Sequence, residues 1–223
     1  ILVAKDVSSR YSRRNRTEFG KVADYITELA HSHVGNYMVF FPSYRYMEAV
    51  EQLLDERYDG SFRWQMQTSR MTEKEREKFL ELFEEKREQS FVGLCVLGGI
   101  FSEGIDLLGE KLIGAILVGT GLPQLGNERE ILRSFYTENG ENGFDYAYRY
   151  PGMNKVLQAA GRVIRTREDH GVILLLDERF RQREYSNLFP VEWNDRKTCT
   201  LSNVEAQLQK FWESIPDKIS HKL

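Results

Sequence analysis

Apolar residues recur along this chain in two alternating rhythms. Between Thr17 and Ala30, Phe19, Val22, Ile26 and Leu29 fall three and four apart, the spacing of one buried helical face. Gly35 stands beyond them as a C-terminal stop. Tyr37 to Phe41 is then apolar without a break, which fits a short strand buried on both faces. Pro42 ends it, and Ser43 is placed to cap a helix carrying Met47, Val50, Leu53 and Leu54. Phe62 to Thr68 reads as a further strand. Thr72 and Glu75 form a capping box for a helix with Phe79, Leu82 and Phe83 on one face. Three more apolar runs follow: Phe91 to Leu97, Leu112 to Val118 and Gly171 to Leu176. Strands apolar on both faces, alternating with helices, predict an α/β domain built on a parallel sheet.

Gly119 to Pro151 breaks this rhythm. It is rich in Gly, Asn and aromatics and reads as an insertion of helices and loops, occupying about 119–155. Its Phe144, Tyr146, Tyr148 and Tyr150 either line a ligand's path or pack as a local core. Ser202 to Ser214 predicts a final helix. The 223 residues suit one domain, 1–223, with that insertion.

Composition narrows the classes. With 41% hydrophobic and 29% charged residues, the chain has the mix of a globular domain. No apolar run approaches the roughly 20 residues that span a bilayer, and the first residues do not pattern as a signal peptide. A cytoplasmic setting is expected, nucleoid-associated if the source is bacterial. The first residue is Ile1, as expected of a piece of a longer chain. A net charge of −3 gives no overall basic signature for nucleic acid. Arg10, Arg13, Arg14, Arg16 and Lys21 form a local basic cluster, and Arg162, Arg165 and Arg167 a second; the ordinary reading of each is a solvated face. Cys95 and Cys199 lack metal-ligand spacing, and Cys95, within an apolar run, reads as core. His31 and His33 sit near a helix end, where a dipole contact is the simpler reading than a metal site.

Three stretches carry chemistry, each beside an expected strand, where ligands of open α/β sheets bind. Val39 to Tyr44 places Ser43 at a helix start, either as a cap alone or as a phosphate contact. Gly98 to Asp106 offers glycines for close backbone approach, Ser102 as a donor to phosphate, and Glu103 and Asp106 as acceptors for ribose hydroxyls or an arginine. Gln158 to Arg165, if helical, sets Arg162 and Arg165 on one face, with Gln158 one turn back and Gly161 leaving room for a close approach. Two such guanidiniums grip a triphosphate, or pair with acids such as Glu168 or Asp169.

In order and spacing the three resemble motifs IV, V and VI of XPD/DinG-like superfamily 2 helicases, over about Arg10 to Phe180. Asn36 to Met47 resembles motif IV, Phe101 to Asp106 motif V, and Gln158 to Arg165, with Asp177-Glu178-Arg179-Phe180, motif VI and its flank. The resemblance implies a second, C-terminal RecA-like motor domain of an ATP-dependent DNA helicase. It implies Arg165 as an arginine finger with Arg162 beside it, Gln158 near the attacking water or the γ-phosphate, Glu103 and Gly161 on the nucleotide side, and Gly104 and Asp106 at the nucleotide's sugar or coupling the nucleotide to DNA. Ser43, Tyr44 and Ser102 would touch single-stranded DNA, Tyr44 by backbone contact or by stacking. The phosphate loop G-x-x-x-x-G-K-[ST] is not in this sequence. ATP and Mg²⁺ would therefore be held mainly by a first RecA-like domain, the expected partner, which would also carry any iron–sulfur cluster. The family's travel is 5′ to 3′, in DNA repair and recombination. Where the family often has a basic residue before Phe101, this chain has Ile100, removing one phosphate contact. The alternative is a non-catalytic RecA-like nucleic-acid-binding or regulatory module. A Rossmann enzyme is disfavoured because no G-x-G-x-x-G follows the first strand.

Overall fold

The computed structural model describes residues 1–85, 88–102, 107, 109–164 and 169–215. Its centre is a seven-stranded sheet in which every pairing is parallel. The strands are β1 (Leu2–Ala4), β2 (Asn36–Phe41), β3 (Arg63–Met66), β4 (Phe91–Val96), β5 (Gly114–Val118), β6 (Val172–Leu176) and β7 (Lys197–Cys199), in the order β3-β4-β2-β5-β6-β1-β7. The helices are α1 (Arg16–Ser32), α2 (Tyr44–Glu56), α3 (Glu73–Glu81), α4 (Asn127–Glu138), α5 (Tyr150–Ala160), the single turn α6 (Arg183–Ser186) and α7 (Val204–Glu213).

The apolar runs are strands because both sheet faces are covered. Alternation splits β2 between two cores. Tyr37, Val39 and Phe41 join the core under α1, α2 and α7. Met38 and Phe40 join the opposite core, with Phe79 of α3 and Met153 and Val156 of α5. Cys95 lies in that second core, as its sequence context implies. The N-caps also form as expected at Ser43 and Thr72. The Ser43 hydroxyl accepts from the Tyr46 amide at 3.3 Å, and Thr72 with Glu75 makes both bonds of a capping box.

One expectation needs revision, and two short strands escaped the sequence reading. Gly35 is not the stop of α1, which ends at Ser32 with His33 at its C-cap. Gly35 is small because Ile113 occupies the space a Cβ would need. The two histidines near that end make side-chain contacts: His33 stacks on Trp212 at 4.5 Å, and His31 bonds to Ser61. Strands β1 and β7, three residues each, were not legible as strands. They exist by pairing: β1 lies between β6 and β7, and β7 forms the sheet's edge against β1.

The insertion comprises α4, a π-turn at Asp145–Arg149 and the start of α5. Its aromatics pack largely on one another. Tyr136 and Tyr146 stack at 3.9 Å, Phe144 and Tyr148 at 5.4 Å, and the buried Tyr148 donates to Glu130. Helix α4 buries no residue, leaving Ile131 and Phe135 open to solvent.

Candidate nucleotide and nucleic-acid site

Because every strand runs the same way, the loops after β2, β4, β5, β6 and β1 emerge at one edge. The chain leaving β2 crosses toward β3, and the chain leaving its neighbour β5 turns the other way, to β6. This reversal opens a crevice between the carboxyl ends of β2 and β5, the usual ligand position in such sheets.

Ser43 stands on one side of that crevice in extended conformation, capping α2. Tyr44, beside it, is half-buried. Its hydroxyl accepts from Gln67 Nε2 at 2.9 Å and donates to the Thr68 carbonyl at 3.4 Å. Burial, then the Cys95 thiol, pushes this phenol's pKa upward. Gln67 also accepts from the Val96 amide at 3.0 Å, so it ties the loop after β2 to the turn after β4. Sequence reasoning passed over Gln67. A lone Gln at the end of an edge strand carries no signature, and only its burial reveals it.

The turn after β4 needs Gly98 in the left-handed region, at φ 73°, with the Lys155 side chain of α5 lying over it. Ser102 closes this turn. It is fully buried, accepts from the Gly98 amide at 2.8 Å and donates to the Val96 carbonyl at 3.2 Å. Here its hydroxyl holds the loop together and does not face outward as a phosphate donor. Glu103, Gly104 and Asp106 lie outside the described residues.

The third stretch departs most from expectation. Helix α5 ends at Ala160, so Gln158 to Arg165 is not one helix. The amides of Arg162 and Val163 bond back to the carbonyls of Ala159 and Ala160, tightening the last turn in the i→i+3 manner. Buried Val163 then draws the chain back against Gly171. Gly161 keeps right-handed geometry and is exposed; among the described residues the Leu157 and Gln158 carbonyl oxygens are what a Cβ there would meet. Gln158 is exposed on the last turn. Arg162 donates from Nε to the Ser102 carbonyl at 3.3 Å. The second and third stretches are thus in direct contact. Arg165 and Glu168 lie outside the described residues, and Asp169 makes contacts of its own.

The flank after β6 is built around Asp177. Its side chain is fully buried and accepts from Arg179 Nε at 2.8 Å, Arg179 Nη2 at 2.9 Å, the Ser9 amide at 2.9 Å and the Ser9 hydroxyl at 2.5 Å. Burial alone would raise its pKa; the bonds and charge from Arg179 and then Ser9 outweigh this and hold it below the usual carboxylate range. The neighbouring Glu178 accepts from Ser8 and Arg10.

On this edge Gln158 is exposed and Arg162 is bonded to the Gly98–Ser102 turn, whose own Gly98, Gly99 and Ser102 amides are bonded internally. Among the described residues no group of three or more His, Cys, Asp or Glu is placed to hold a metal ion, and no helix is long and apolar enough to cross a membrane.

Comparison with known proteins gives the same direction. A family model described as a helicase C-terminal domain matches residues 26–196. The Drosophila ananassae regulator of telomere elongation helicase 1 homolog is 28% identical over 150 residues, covering 62% of this chain and 15% of that protein. The Saccharomyces cerevisiae general transcription and DNA repair factor IIH helicase subunit XPD/RAD3 is 29% identical over 192 residues, 79% of this chain and 24% of that protein. The chain therefore spans a quarter or less of these relatives. Among solved structures, apo XPD superposes with a TM-score of 0.71 at 21% identity, over 89% of this chain and 39% of that one. The C-terminal domain of the DEAD-box protein Dbp5 superposes at 0.53 and 14% identity, over 94% and 96%. These likenesses establish a RecA-like α/β fold with helical insertions.

Proposed function

The chain belongs to the helicase C-terminal domain family, and from that premise we propose that it is the second RecA-like motor domain of an ATP-dependent DNA helicase, one wall of a nucleotide cleft completed by a first RecA-like domain. The observation that carries this reading is the Arg162–Ser102 bond. It joins the segment that would meet the nucleotide to the loop that borders the strand-binding side, which is the connection a motor needs.

In this reading ATP is the substrate and the first domain holds its phosphates and Mg²⁺. Arg165 reaches the γ-phosphate as an arginine finger, with Arg162 and Gln158 beside it. A guanidinium held in place stabilises the charge that spreads over the phosphoryl oxygens, an effect of about 10³–10⁵ in rate in nucleotide hydrolases. Glu103, Gly104, Asp106 and Gly161 border the nucleotide. Ser43 and Tyr44 meet the backbone of single-stranded DNA, and Ser102 positions the loop between the two ligands. Closing and opening of the cleft then alternates the grip on the strand. Such a motor would act in DNA repair or recombination with 5′-to-3′ travel, a reading supported by the resemblance to XPD/DinG-like helicases and, for repair, by the name of the yeast relative.

The test is steady-state ATP hydrolysis with and without single-stranded DNA. A protein containing both RecA-like domains is expected to hydrolyse ATP and to be stimulated by the strand, and the 223-residue chain alone to do neither. A two-domain protein without hydrolysis would instead favour the non-catalytic module.

A further inference from the structure

The crevice between the carboxyl ends of β2 and β5 has a third border outside the three motifs. The chain leaving β1 passes through Ser8 and Ser9 into a single 3₁₀ turn, Tyr11–Arg13, and Asn15 then caps α1. Both serines are fixed from below. The Ser8 amide donates to buried Glu18 at 2.9 Å, and Ser9 is bound through amide and hydroxyl to Asp177. Gly119, just after β5, lacks the Cβ that would stand 2.5 Å from the Ser9 hydroxyl, so the segment lies directly on the β5 side of the crevice. On the other side is Tyr46, in the first turn of α2 beside Ser43.

The basic cluster of this segment is mostly neutralised. Arg10 pairs with Glu178, Arg16 with Glu56, and Arg13 and Lys21 with Glu18. Arg14 is the exception. Its guanidinium lies 5.5 Å from the Tyr11 ring centre and 5.3 Å from that of Tyr46. Among the described residues its one hydrogen bond is from Nε to the Ser9 carbonyl, at 3.2 Å, and no carboxylate pairs with it. An arginine has five N–H donors, so four remain to be used. The five cations of this cluster share three carboxylate partners, and Arg14 has none among the described residues. Tyr11 is 83% exposed, an unusual position for so large a ring in a segment anchored this firmly. Two hydroxyls flanking the crevice, those of Tyr46 and Thr120, are buried and have no hydrogen-bond partner among the described residues.

An exposed ring beside a free guanidinium, on a rigid segment, is the arrangement that holds single strands: the ring stacks a base and the cation meets the phosphate. We propose that Tyr11 and Arg14 form a gripping point for single-stranded nucleic acid at this crevice, continuous with Ser43. The inference rests on the reading of the chain as a strand-binding motor domain. It adds that the flank after β6, through Asp177 and Ser9, sets the position of the grip.

The test is fluorescence anisotropy of a labelled oligothymidylate titrated with the 223-residue chain at several salt concentrations. Tyr11→Ala is expected to weaken binding about tenfold, within the roughly 5- to 150-fold that one stacked base contributes, while Tyr11→Phe retains it. Arg14→Gln is expected to lower the slope of log K against log salt by about 0.7, the value for one phosphate contact on a single strand. Arg14 covers the Tyr46 ring, so the thermal midpoint of that variant is measured alongside. Tyr11 is solvent-exposed, and its variant keeps the test decisive. Wild-type affinity and salt slope in Tyr11→Ala and Arg14→Gln would overturn the proposal and leave the motor reading standing. Failure of the unmodified chain to bind the oligonucleotide would overturn the grip, while the motor reading stands or falls on ATP hydrolysis by the two-domain protein.

Discussion

Asp177 is a carboxylate with no solvent exposure, and its cost is met by two guanidinium bonds and two from Ser9. Removing the charge while leaving Arg179 in place strands a largely buried cation, so Asp177→Asn is expected to cost about 3–5 kcal/mol of unfolding free energy, read from urea titration. The sign with pH follows from the depressed folded pKa. Its stabilisation is complete above the unfolded carboxylate value of about 4 and is lost as pH falls through the lower folded value. Wild type is therefore expected to lose urea resistance below about pH 4 by an amount that Asp177→Asn does not show. Equal acid sensitivity in the two proteins would mean that other carboxylates govern it. Few of these partners were legible in the sequence. Ser9 and Asp177 are 168 positions apart, and nothing in either stretch announces the other.

At the scale of elements, legibility followed length and burial. The four central runs, β2, β4, β5 and β6, were visible as strands because both faces are apolar. The Ser43 and Thr72 caps were visible because capping is local chemistry. Strands β1 and β7 were not, since three residues held by neighbours have no pattern of their own. Setting Arg162 and Arg165 on one face supposed a helix through Gln158 to Arg165, yet α5 has already ended at Ala160 and Val163 is buried from a turn. Glycines placed by packing were equally silent. Gly93 in β4 leaves room for α3, and a Cβ there would stand 2.8 Å from the Phe83 ring and 3.1 Å from that of Phe79. Gly93→Ala is expected to overpack this contact and lower stability by about 1–3 kcal/mol, seen as a lower urea midpoint at unchanged slope. An unchanged midpoint would show that α3 shifts freely and is not fixed by the sheet.

At the scale of the whole molecule, the parallel sheet gathers Ser43, the Gly98–Ser102 turn, Gly119 and Asp177 on one edge, and the turn of α5 brings Arg162 to Ser102. Motif order was legible in the sequence; this contact, and the internal use of the Ser102 hydroxyl, were not, because both depend on where a loop folds back. In the proposed motor this edge completes a nucleotide cleft and passes its state to a bound strand. The most direct test is single-turnover and steady-state ATP hydrolysis, with single-stranded DNA, in a protein carrying both RecA-like domains and the substitution Arg165→Ala. The account predicts that kcat falls by about 10³-fold or more with nucleotide affinity little changed, the mark of a contact made in the transition state. Near-normal hydrolysis would contradict it, leaving Arg165 a structural residue and the domain a binding module.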